Sequence, residues 1–497
     1  MGQIKAGAVL SYAAVGFNAL AGLLYTPWMV SCIGPDDYAL YTLAISVVNF
    51  FLMDFGLSNA AARFLSKFYA EDRSDKANEF LGIIYKLYFV ISAVIFIILA
   101  VIYLFIGEVY SNLSADQLII FKGLYLVVAI YSVISFPCMV FNGVLAANER
   151  FVGLNLCNLL QKVLTVLLVV LALLYGFGVF ALVLVNALTS LFFAGAKYVL
   201  IRKKTAARAQ LRFWDKCAVE DALGFSVWVA ITNICARCIF LIMPSILAIV
   251  SQSWEIALFG LAASLEGYVY TAASALGNLF MPRVSRILYG ENNGESLQTL
   301  MTKVGRIQLY VVGLIFVGFL TLGQHFVDLW MGPQYSKLYA CTIVLIIPSV
   351  FELPQMIGAT AVEASANVRW RALIFIAMAV ANIIMSLLLG GVWGAFGVSL
   401  SICIAYLIRT ICMNFIYKIK LGIKITCFFR ETFFPWIVPA AVAMFVGFSL
   451  GFLDLGRGWL DLGIKAVAVS IVYFLLLRAL SFNRYEKDLL LKAIRKK

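Results

Sequence analysis

Four ionisable side chains stand out because the sequence around each of them is almost wholly apolar. Lys162, Arg237 and Glu266 lie near the middle of long apolar stretches, and Asp54 lies in the inner half of another. A charge at the centre of a membrane helix costs about 2.5–3.5 kcal/mol on insertion scales, so each side chain needs a partner or a wet cavity. Lys162 and Arg237 could bind an anion, whereas Asp54 and Glu266 could neutralise the empty site or take up H⁺ or Na⁺.

Other polar residues repeat at helical spacing beside these charges. One stripe is Asn155, Asn158, Lys162 and Thr165, a second is Glu266, Tyr270, Ser274 and Asn278, and a milder third is Ser11, Asn18 and Tyr25. Such spacings place residues on one face of a helix, and a polar face is disfavoured in lipid. We therefore expect an ion to be coupled by Asp54 and Glu266, and substrate to be bound by Lys162, Arg237, Asn18, Asn155, Asn158 and Tyr270. The alternative is that the charges form structural ion pairs between helices.

The elements that must position these residues are membrane helices. The chain has 497 residues, of which 63% are apolar and 13% are charged, and its mean hydropathy is +0.98. Soluble domains carry about 25% charged residues, so this composition predicts an all-α integral membrane protein. Apolar runs of about 20 residues, the length that crosses a bilayer, predict fourteen helices. Their approximate ranges are 6–30, 38–62, 80–106, 119–145, 152–174, 179–201, 222–250, 257–280, 304–324, 339–362, 371–390, 396–417, 432–453 and 460–480.

The basic residues divide unequally between the loops on the two sides of these helices. The side that holds both termini carries most of the 38 lysines and arginines, whereas the other side carries only Lys122, Lys337, Arg457 and Lys465. By the positive-inside rule, both termini are predicted to be cytoplasmic. This orientation accounts for the formal net charge of +13. No nucleic-acid partner is expected, because the basic residues do not cluster on a soluble surface.

An internal repeat predicts how the helices are grouped. At an offset of 219 residues, positions 66–67 align with 285–286, and positions 147–150 align with 366–369. Each copy has six helices, an even number, so the two copies enter the membrane from the same side as parallel repeats. The predicted domains are an N-terminal lobe over 1–216, a C-terminal lobe over 217–427, helices 13 and 14 within 428–480, and a basic cytoplasmic tail over 481–497.

Basic pairs end the second helix of each repeat. Arg63 and Lys67 end helix 2, and Arg283 and Arg286 occupy the equivalent end of helix 8. These side chains suit the negative C-terminal end of a helix and anionic lipid headgroups, which favours a role as membrane anchors. The alternative is that they line the cytoplasmic gate of a cavity between the two repeats.

No cofactor or metal is expected. Cys235 and Cys238 have the spacing of a metal or redox pair, but they lie inside a predicted span, where small buried residues are the favoured interpretation. The single histidine, His325, has no evident partner for acid–base catalysis. No glycine-rich phosphate-binding motif occurs, so we expect transport to depend on an H⁺ or Na⁺ gradient, the membrane potential or substrate supply rather than on ATP bound to this chain.

The first helical hairpin resembles that of a known transporter family. Residues 24–68 contain the turn GPDDY, then the segment DFGL, then an arginine at the inner end, and residues 175–182 form the short turn YGFGVFAL. These features are similar to the Wzx-like oligosaccharide flippases, in the polysaccharide transporter branch of the multidrug/oligosaccharidyl-lipid/polysaccharide (MOP) exporter superfamily. The resemblance extends over residues 1–480. It implies two MATE-like lobes around a cationic central cavity with alternating access.

The resemblance also implies a substrate and partners. They are a polyprenyl-diphosphate-linked oligosaccharide moved from the inner to the outer leaflet of the bacterial cytoplasmic membrane, membrane lipids, and a polysaccharide polymerase or glycosyltransferases. Lys162 and Arg237 match the basic residues expected to hold the diphosphate, whereas Asn18 replaces the arginine that lipid II flippases carry in the first helix. A drug/cation antiporter of the same fold is the first alternative, supported by Asp54 and Glu266. A membrane-embedded polymerase or ligase is the second, although the predicted outer loops are short.

Overall fold

The structure is a computed structural model, and it describes residues 2–52, 57–205, 207–212, 216–274, 281–288, 296–365, 368–453, 456, 458–483 and 486–487. Throughout these residues the regular secondary structure is helical. The packing divides the chain into two compact units. Unit 1 comprises Met1–Gly260 and Ile383–Val398, and unit 2 comprises Leu261–Asn382 and Ser399–Lys497. The predicted lobe bounds follow the sequence repeat instead, and they stay a prediction.

The first part of the chain forms eleven helices along its described residues. They are α1 (Gly2–Ile33), α2 (Pro35–Phe51), α3 (Leu57–Ala70), α4 (Ser74–Val109), α5 (Ala115–Ser135), α6 (Val140–Ala147), α7 (Phe151–Leu174), α8 (Val179–Lys204), α9 (Lys216–Leu241), α10 (Met243–Val250) and α11 (Ser253–Ser274). In unit 1, α1 packs on α7, α3 packs on α6, and α7 packs on α8. Exposed apolar side chains such as Leu104, which is 77% exposed, cover the outer surface of α4, as a lipid-facing helix requires.

The second part continues with eight helices. They are α12 (Met281–Leu288), α13 (Leu297–Trp330), α14 (Lys337–Glu352), α15 (Met356–Ala364), α16 (Val368–Leu421), α17 (Ile425–Thr432), α18 (Phe434–Gly451) and α19 (Trp459–Leu476), followed by a π-helical turn at Leu477–Ser481. In unit 2, α13 packs against α14, α17, α18 and α19. A hydrogen bond of 2.7 Å from Trp436 Nε1 to the Tyr473 hydroxyl joins α18 to α19.

Hydropathy predicted the spans well but missed their breaks. By length and composition, nine helices within the described residues can cross a membrane, or ten if the pair from Ile231 to Val250, bent by 40°, counts as one. The predicted spans 119–145, 222–250 and 339–362 each consist of two helices that part at Pro137, Pro244 or Pro354. Proline interrupts a helix because it lacks the backbone N–H and its ring clashes with the preceding turn.

The predicted spans 371–390 and 396–417 both fall on α16, and a local break separates them. Gly394 has φ 58° and ψ −133°, a conformation that side chains other than hydrogen disfavour. The Glu255 carboxylate accepts a hydrogen bond of 2.8 Å from the backbone N–H of Ala395, and a Cβ on Gly394 would clash with that carboxylate. The glycine therefore provides both the turn and the space for this contact. The remaining predicted spans 6–30, 38–62 and 257–280 fall on α1, on α2 with α3, and on α11.

Candidate substrate site

A cavity of about 190 Å³ lies within unit 2, lined by residues of α11, α14, α15 and α16. Four charged side chains form part of its wall, two arginines and two glutamates: Glu352, Glu363, Arg371 and Arg409. Hydroxyl and amide groups form another part, contributed by Tyr270, Gln355, Thr360, Thr410 and Tyr417. The cavity therefore offers many polar groups inside an otherwise apolar helix bundle.

Helical spacing brings these residues to the cavity. After the turn at Leu353–Gln355, where Pro354 ends α14, residues Met356, Ala359 and Glu363 follow at steps of three and four along α15. On α16, Arg409, Met413 and Tyr417 follow at steps of four. Both spacings place residues on one helix face, so each segment directs a single face with polar and apolar side chains to the cavity.

The arginines of the cavity are paired with its glutamates. Arg409 forms an ion pair with Glu352, and Arg371 forms an ion pair with Glu363. Arg409 is only 4% exposed. A buried ion pair is weak evidence for stability, because the cost of desolvating two charges can exceed their attraction. The local charge of these four side chains sums to zero.

Aromatic rings hold the two guanidinium groups in place. The Arg409 guanidinium lies 4.2 Å from the ring centre of Tyr406 and 5.1 Å from that of Phe375. The Arg371 guanidinium lies 5.3 Å from the same Phe375 ring. Both cations therefore lie within the distance at which a ring attracts a cation, and one aromatic side chain contacts both.

The structure places two of the predicted site residues at or near this cavity. Tyr270 lines it. Glu266, four residues earlier on α11, is 8% exposed and accepts a hydrogen bond of 3.2 Å from the Ser349 hydroxyl of α14. Glu266 and Tyr270 of the predicted stripe thus lie toward other helices of unit 2, whereas the side chain of Ser274 and all of Asn278 lie outside the described residues. The roles of Tyr270 in substrate binding and of Glu266 in ion coupling stay predictions.

Lys162 and Arg237 lie elsewhere. Lys162 is on α7 and Arg237 is on α9, both within unit 1, and both side chains are exposed. The prediction had assigned them to different lobes. Asn155 and Asn158 are half-buried on α7. Whether these residues bind an anion is not tested by their positions, so the role stays a prediction.

The seam between α7 and α8 accounts for part of the predicted stripe. The Thr165 hydroxyl lies 2.8 Å from the Thr189 hydroxyl, and Gln161 Nε2 donates a hydrogen bond of 2.9 Å to the Ser190 hydroxyl. Further along α8, Lys197 Nζ donates a hydrogen bond of 3.0 Å to Asn142 Oδ1. Thr165 therefore serves helix packing in unit 1.

The remaining predicted residues lie on α1, α3 or α12 or outside the described residues. Asp54 lies outside the described residues, and so do the side chains of Asn18 and Arg286, which occur on α1 and α12. Arg63 and Lys67 on α3, and Arg283 on α12, are exposed. Exposure suits both an anchor and a gate, so neither interpretation is favoured. Among the described residues, no three acidic, cysteine or histidine side chains cluster so as to hold a metal ion.

The charged wall of the cavity was missed at the sequence level, although a signal was present. Glu352 lies inside the predicted span 339–362 and Arg409 lies inside 396–417, so the argument applied to Lys162 applies to both. Glu363 and Arg371 lie at the ends of spans, where a charge is ordinary. Only the tertiary structure brings these two to the cavity.

Comparison with known proteins gives one family and one fold. A family model described as "Polysaccharide biosynthesis protein" matches residues 29–340, more than half of the chain. No curated protein sequence matches significantly. A lipid II flippase, MurJ, in an inward closed conformation is 15% identical, with a TM-score of 0.74 and coverage of 95% of this chain and 99% of that one.

Two other solved structures share the fold. An inward-facing multidrug resistance MATE transporter of the MOP superfamily is 15% identical, with a TM-score of 0.69, and the match covers 84% of this chain and 98% of that one. A MOP superfamily transporter from Pyrococcus furiosus, described as having a binding pocket of reverse polarity, is 14% identical, with a TM-score of 0.58 and coverage of 84% and 95%. At these identities the likeness establishes the fold alone, which this chain shares with the three transporters.

Proposed function

Because the chain belongs to the family of polysaccharide biosynthesis proteins, we propose that this multi-pass membrane protein is a flippase for a lipid-linked oligosaccharide. The substrate is a polyprenyl-diphosphate-linked oligosaccharide, moved from the inner to the outer leaflet of the bacterial cytoplasmic membrane by alternating access. The product would serve the biosynthesis of O-antigen, capsule or exopolysaccharide. A protein with the same fold is a lipid II flippase, which also handles a lipid carrying a large polar group.

The observation that carries this proposal is the polar cavity within unit 2. An apolar bilayer cannot solvate sugar hydroxyls or phosphates, so a flippase must provide polar groups within its helix bundle. Tyr270, Gln355 and Arg409 provide such groups there. Basic residues are expected to hold the diphosphate, and the exposed Lys162 and Arg237 remain the candidates for it.

Two other functions differ in what they require. A drug/cation antiporter is supported by the buried Glu266 and by the likeness to MATE transporters, but the two arginines and two glutamates of the cavity wall balance, so the wall offers an organic cation no excess of negative charge. A membrane-embedded polymerase or ligase, the alternative of another class, requires catalytic groups on the outer side.

For the flippase, we propose that Glu266 couples substrate movement to H⁺ or Na⁺.

The test is flipping in a defined system. The purified protein is reconstituted into lipid vesicles that contain a radiolabelled polyprenyl-diphosphate-linked oligosaccharide, and a membrane-impermeant glycosidase is added outside. We expect cleavage to rise above the level of protein-free vesicles, because flipping exposes substrate from the inner leaflet. Equal cleavage with and without the protein would refute the flippase. Efflux of a fluorescent organic cation in the same vesicles would favour the antiporter instead.

The anion site is tested with Lys162→Ala and Arg237→Ala. A charge-assisted hydrogen bond contributes roughly 1.5–3 kcal/mol, so loss of one should weaken substrate binding by about ten- to a hundredfold. Export of surface polysaccharide should therefore fall while the amount of protein in the membrane stays near that of the wild type. Lys122→Ala, on the outer side of the predicted topology, is the control. Normal export by both alanine variants would end this hypothesis.

A further inference from the structure

We propose that the cavity of unit 2 binds an uncharged sugar ring of the substrate, and not its diphosphate. This inference rests on the flippase function proposed above and assigns one chemical part of the substrate to one site. Three independent properties of the cavity favour a sugar: its charge balance, its unfilled hydrogen-bonding capacity and its aromatic walls.

The charge balance disfavours an anion. Each arginine of the wall already has a carboxylate partner, Glu352 for Arg409 and Glu363 for Arg371. Glu266, four residues before Tyr270 on α11, is a further buried acid. A diphosphate that bound the two arginines would have to break both ion pairs and place its own negative charges beside Glu352 and Glu363, which is unfavourable. A neutral ligand can bind without breaking either ion pair.

Two residues that line the cavity each have a buried polar atom with no hydrogen-bond partner within the described part of the chain. These atoms are Gln355 Oε1, an acceptor, and Arg371 Nε, a donor. Gln355 is 2% exposed, and its Nε2 already donates a hydrogen bond of 2.9 Å to the Phe351 carbonyl. A sugar hydroxyl both donates and accepts, so hydroxyls could satisfy both atoms. An ionised phosphate only accepts and would leave Gln355 Oε1 unsatisfied.

The remaining wall suits the apolar face of a sugar ring. Tyr270, Phe375 and Tyr417 are among its lining residues, and Met356 and Met413 also line it. The Thr360 hydroxyl donates to the Met356 carbonyl at 2.9 Å, so its oxygen keeps lone pairs to accept from a ligand. A sugar ring has the matching division into an apolar C–H face and a polar hydroxyl rim.

The predicted topology indicates on which side of the membrane the cavity lies. Arg371 begins a predicted span on the cytoplasmic side, and Tyr417 ends one there. Both residues line the cavity. The site therefore lies toward the leaflet in which the substrate is assembled, and a sugar bound there is held at the start of transport.

Binding is tested with sugars that carry no lipid or phosphate. The probes are methyl glycosides of hexoses, 6-deoxyhexoses and N-acetylhexosamines, added to the purified protein in lipid nanodiscs and followed by saturation-transfer difference NMR. We expect at least one glycoside to bind at millimolar concentration and to resist competition by inorganic pyrophosphate. Displacement by pyrophosphate, or no binding by any glycoside, would overturn the proposal.

Matched variants locate the binding. Gln355→Leu and Thr360→Val each remove one polar group from the wall, and the loss of one hydrogen bond should weaken glycoside binding by about tenfold. The control is Gln161→Leu, the same change at the seam between α7 and α8, where binding should be unchanged. Wild-type binding by both cavity variants would place the sugar elsewhere and refute the site.

Flipping assays separate this proposal from the flippase function. Gln355→Leu should slow flipping of the lipid-linked oligosaccharide in vesicles but leave flipping of the sugar-free polyprenyl diphosphate unchanged. If the wild type flips and this variant slows both lipids equally, the residue is structural and only the sugar site fails. If the wild-type protein flips neither lipid, the proposed function fails, while the glycoside titrations still decide the sugar site.

Discussion

A buried charge cluster in unit 2 joins Glu486 to α13. Arg306 Nε donates to Glu486 Oε1 at 2.6 Å, and Arg306 Nη2 donates to Glu486 Oε2 at 3.0 Å. The same guanidinium donates to the backbone carbonyls of Glu431 and Ser481. Glu486 also accepts a hydrogen bond of 2.9 Å from the backbone N–H of Asn483. These contacts join α13, α17 and the residues that follow α19.

The structure allows the cost of breaking this pair to be estimated. Arg306 is 6% exposed and Glu486 is 5% exposed, so neither charge can turn to water when its partner is lost. Removal of one partner of a buried pair costs about 3–5 kcal/mol, because the other charge stays buried and unpaired. We therefore expect Glu486→Gln and Arg306→Met each to lower the free energy of unfolding by about that much.

The double variant distinguishes the pair from two independent losses. With both charges removed, no buried charge remains unpaired, so Arg306→Met combined with Glu486→Gln should cost less than the sum of the single changes. The free energies are measured by SDS-induced unfolding of the purified protein in detergent, beside its abundance in the membrane. The control is Glu71→Gln at the exposed pair with Arg73, where the N–O distance is 3.2 Å and the expected loss is at most about 1 kcal/mol. Additive losses, or single losses as small as the control, would refute the reasoning.

Three further predictions concern packing, coupling and topology. Gly313→Ala should lower the free energy of unfolding by about 1–3 kcal/mol, since the new Cβ would lie 2.5 Å from Trp436 Nε1 and force the packing apart; chemical unfolding measures it. Glu266→Gln should abolish dependence of flipping on an H⁺ or Na⁺ gradient without reducing the amount of protein, and persistent dependence would assign Glu266 to structure. A reporter that requires the cytoplasm should be active after Lys204, and one that requires the outside should be active after Asp116; reversed activities would contradict the predicted topology.

The membrane fold could be predicted because its signal is local. A helix that crosses lipid must be apolar over about 20 residues, and each such run is visible without knowledge of its neighbours. The breaks are also local, since Pro137, Pro244 and Pro354 each mark one. They were missed because average hydropathy over a window does not change at a single proline. The turn at Gly394 is different, because it depends on the contact with Glu255, distant in sequence.

Site residues could be grouped from the sequence only where they share one face of a single helix. The stripe on α11 grouped Glu266 with Tyr270, and the structure places Glu266 against α14 and Tyr270 at the cavity, while their roles stay predictions. On α7 the same reasoning grouped Lys162 with Thr165, yet Thr165 pairs with α8 while Lys162 is exposed. Spacing determines which residues share a face. It does not determine which helix that face meets, since this depends on tertiary packing.

The ion pairs of the cavity explain how arginines can lie in an apolar bundle and still suit a transport site. Without a ligand, Glu352 and Glu363 offset the cost of burying Arg409 and Arg371. A neutral ligand can bind beside both ion pairs and leave them in place, so its binding leaves no charge without a partner. A transport site must bind strongly enough to admit its ligand and weakly enough to release it, as conduction through a channel also requires. Balanced pairs meet that requirement for a sugar, because hydrogen bonds to hydroxyl groups hold the ring without adding a charge to the cavity.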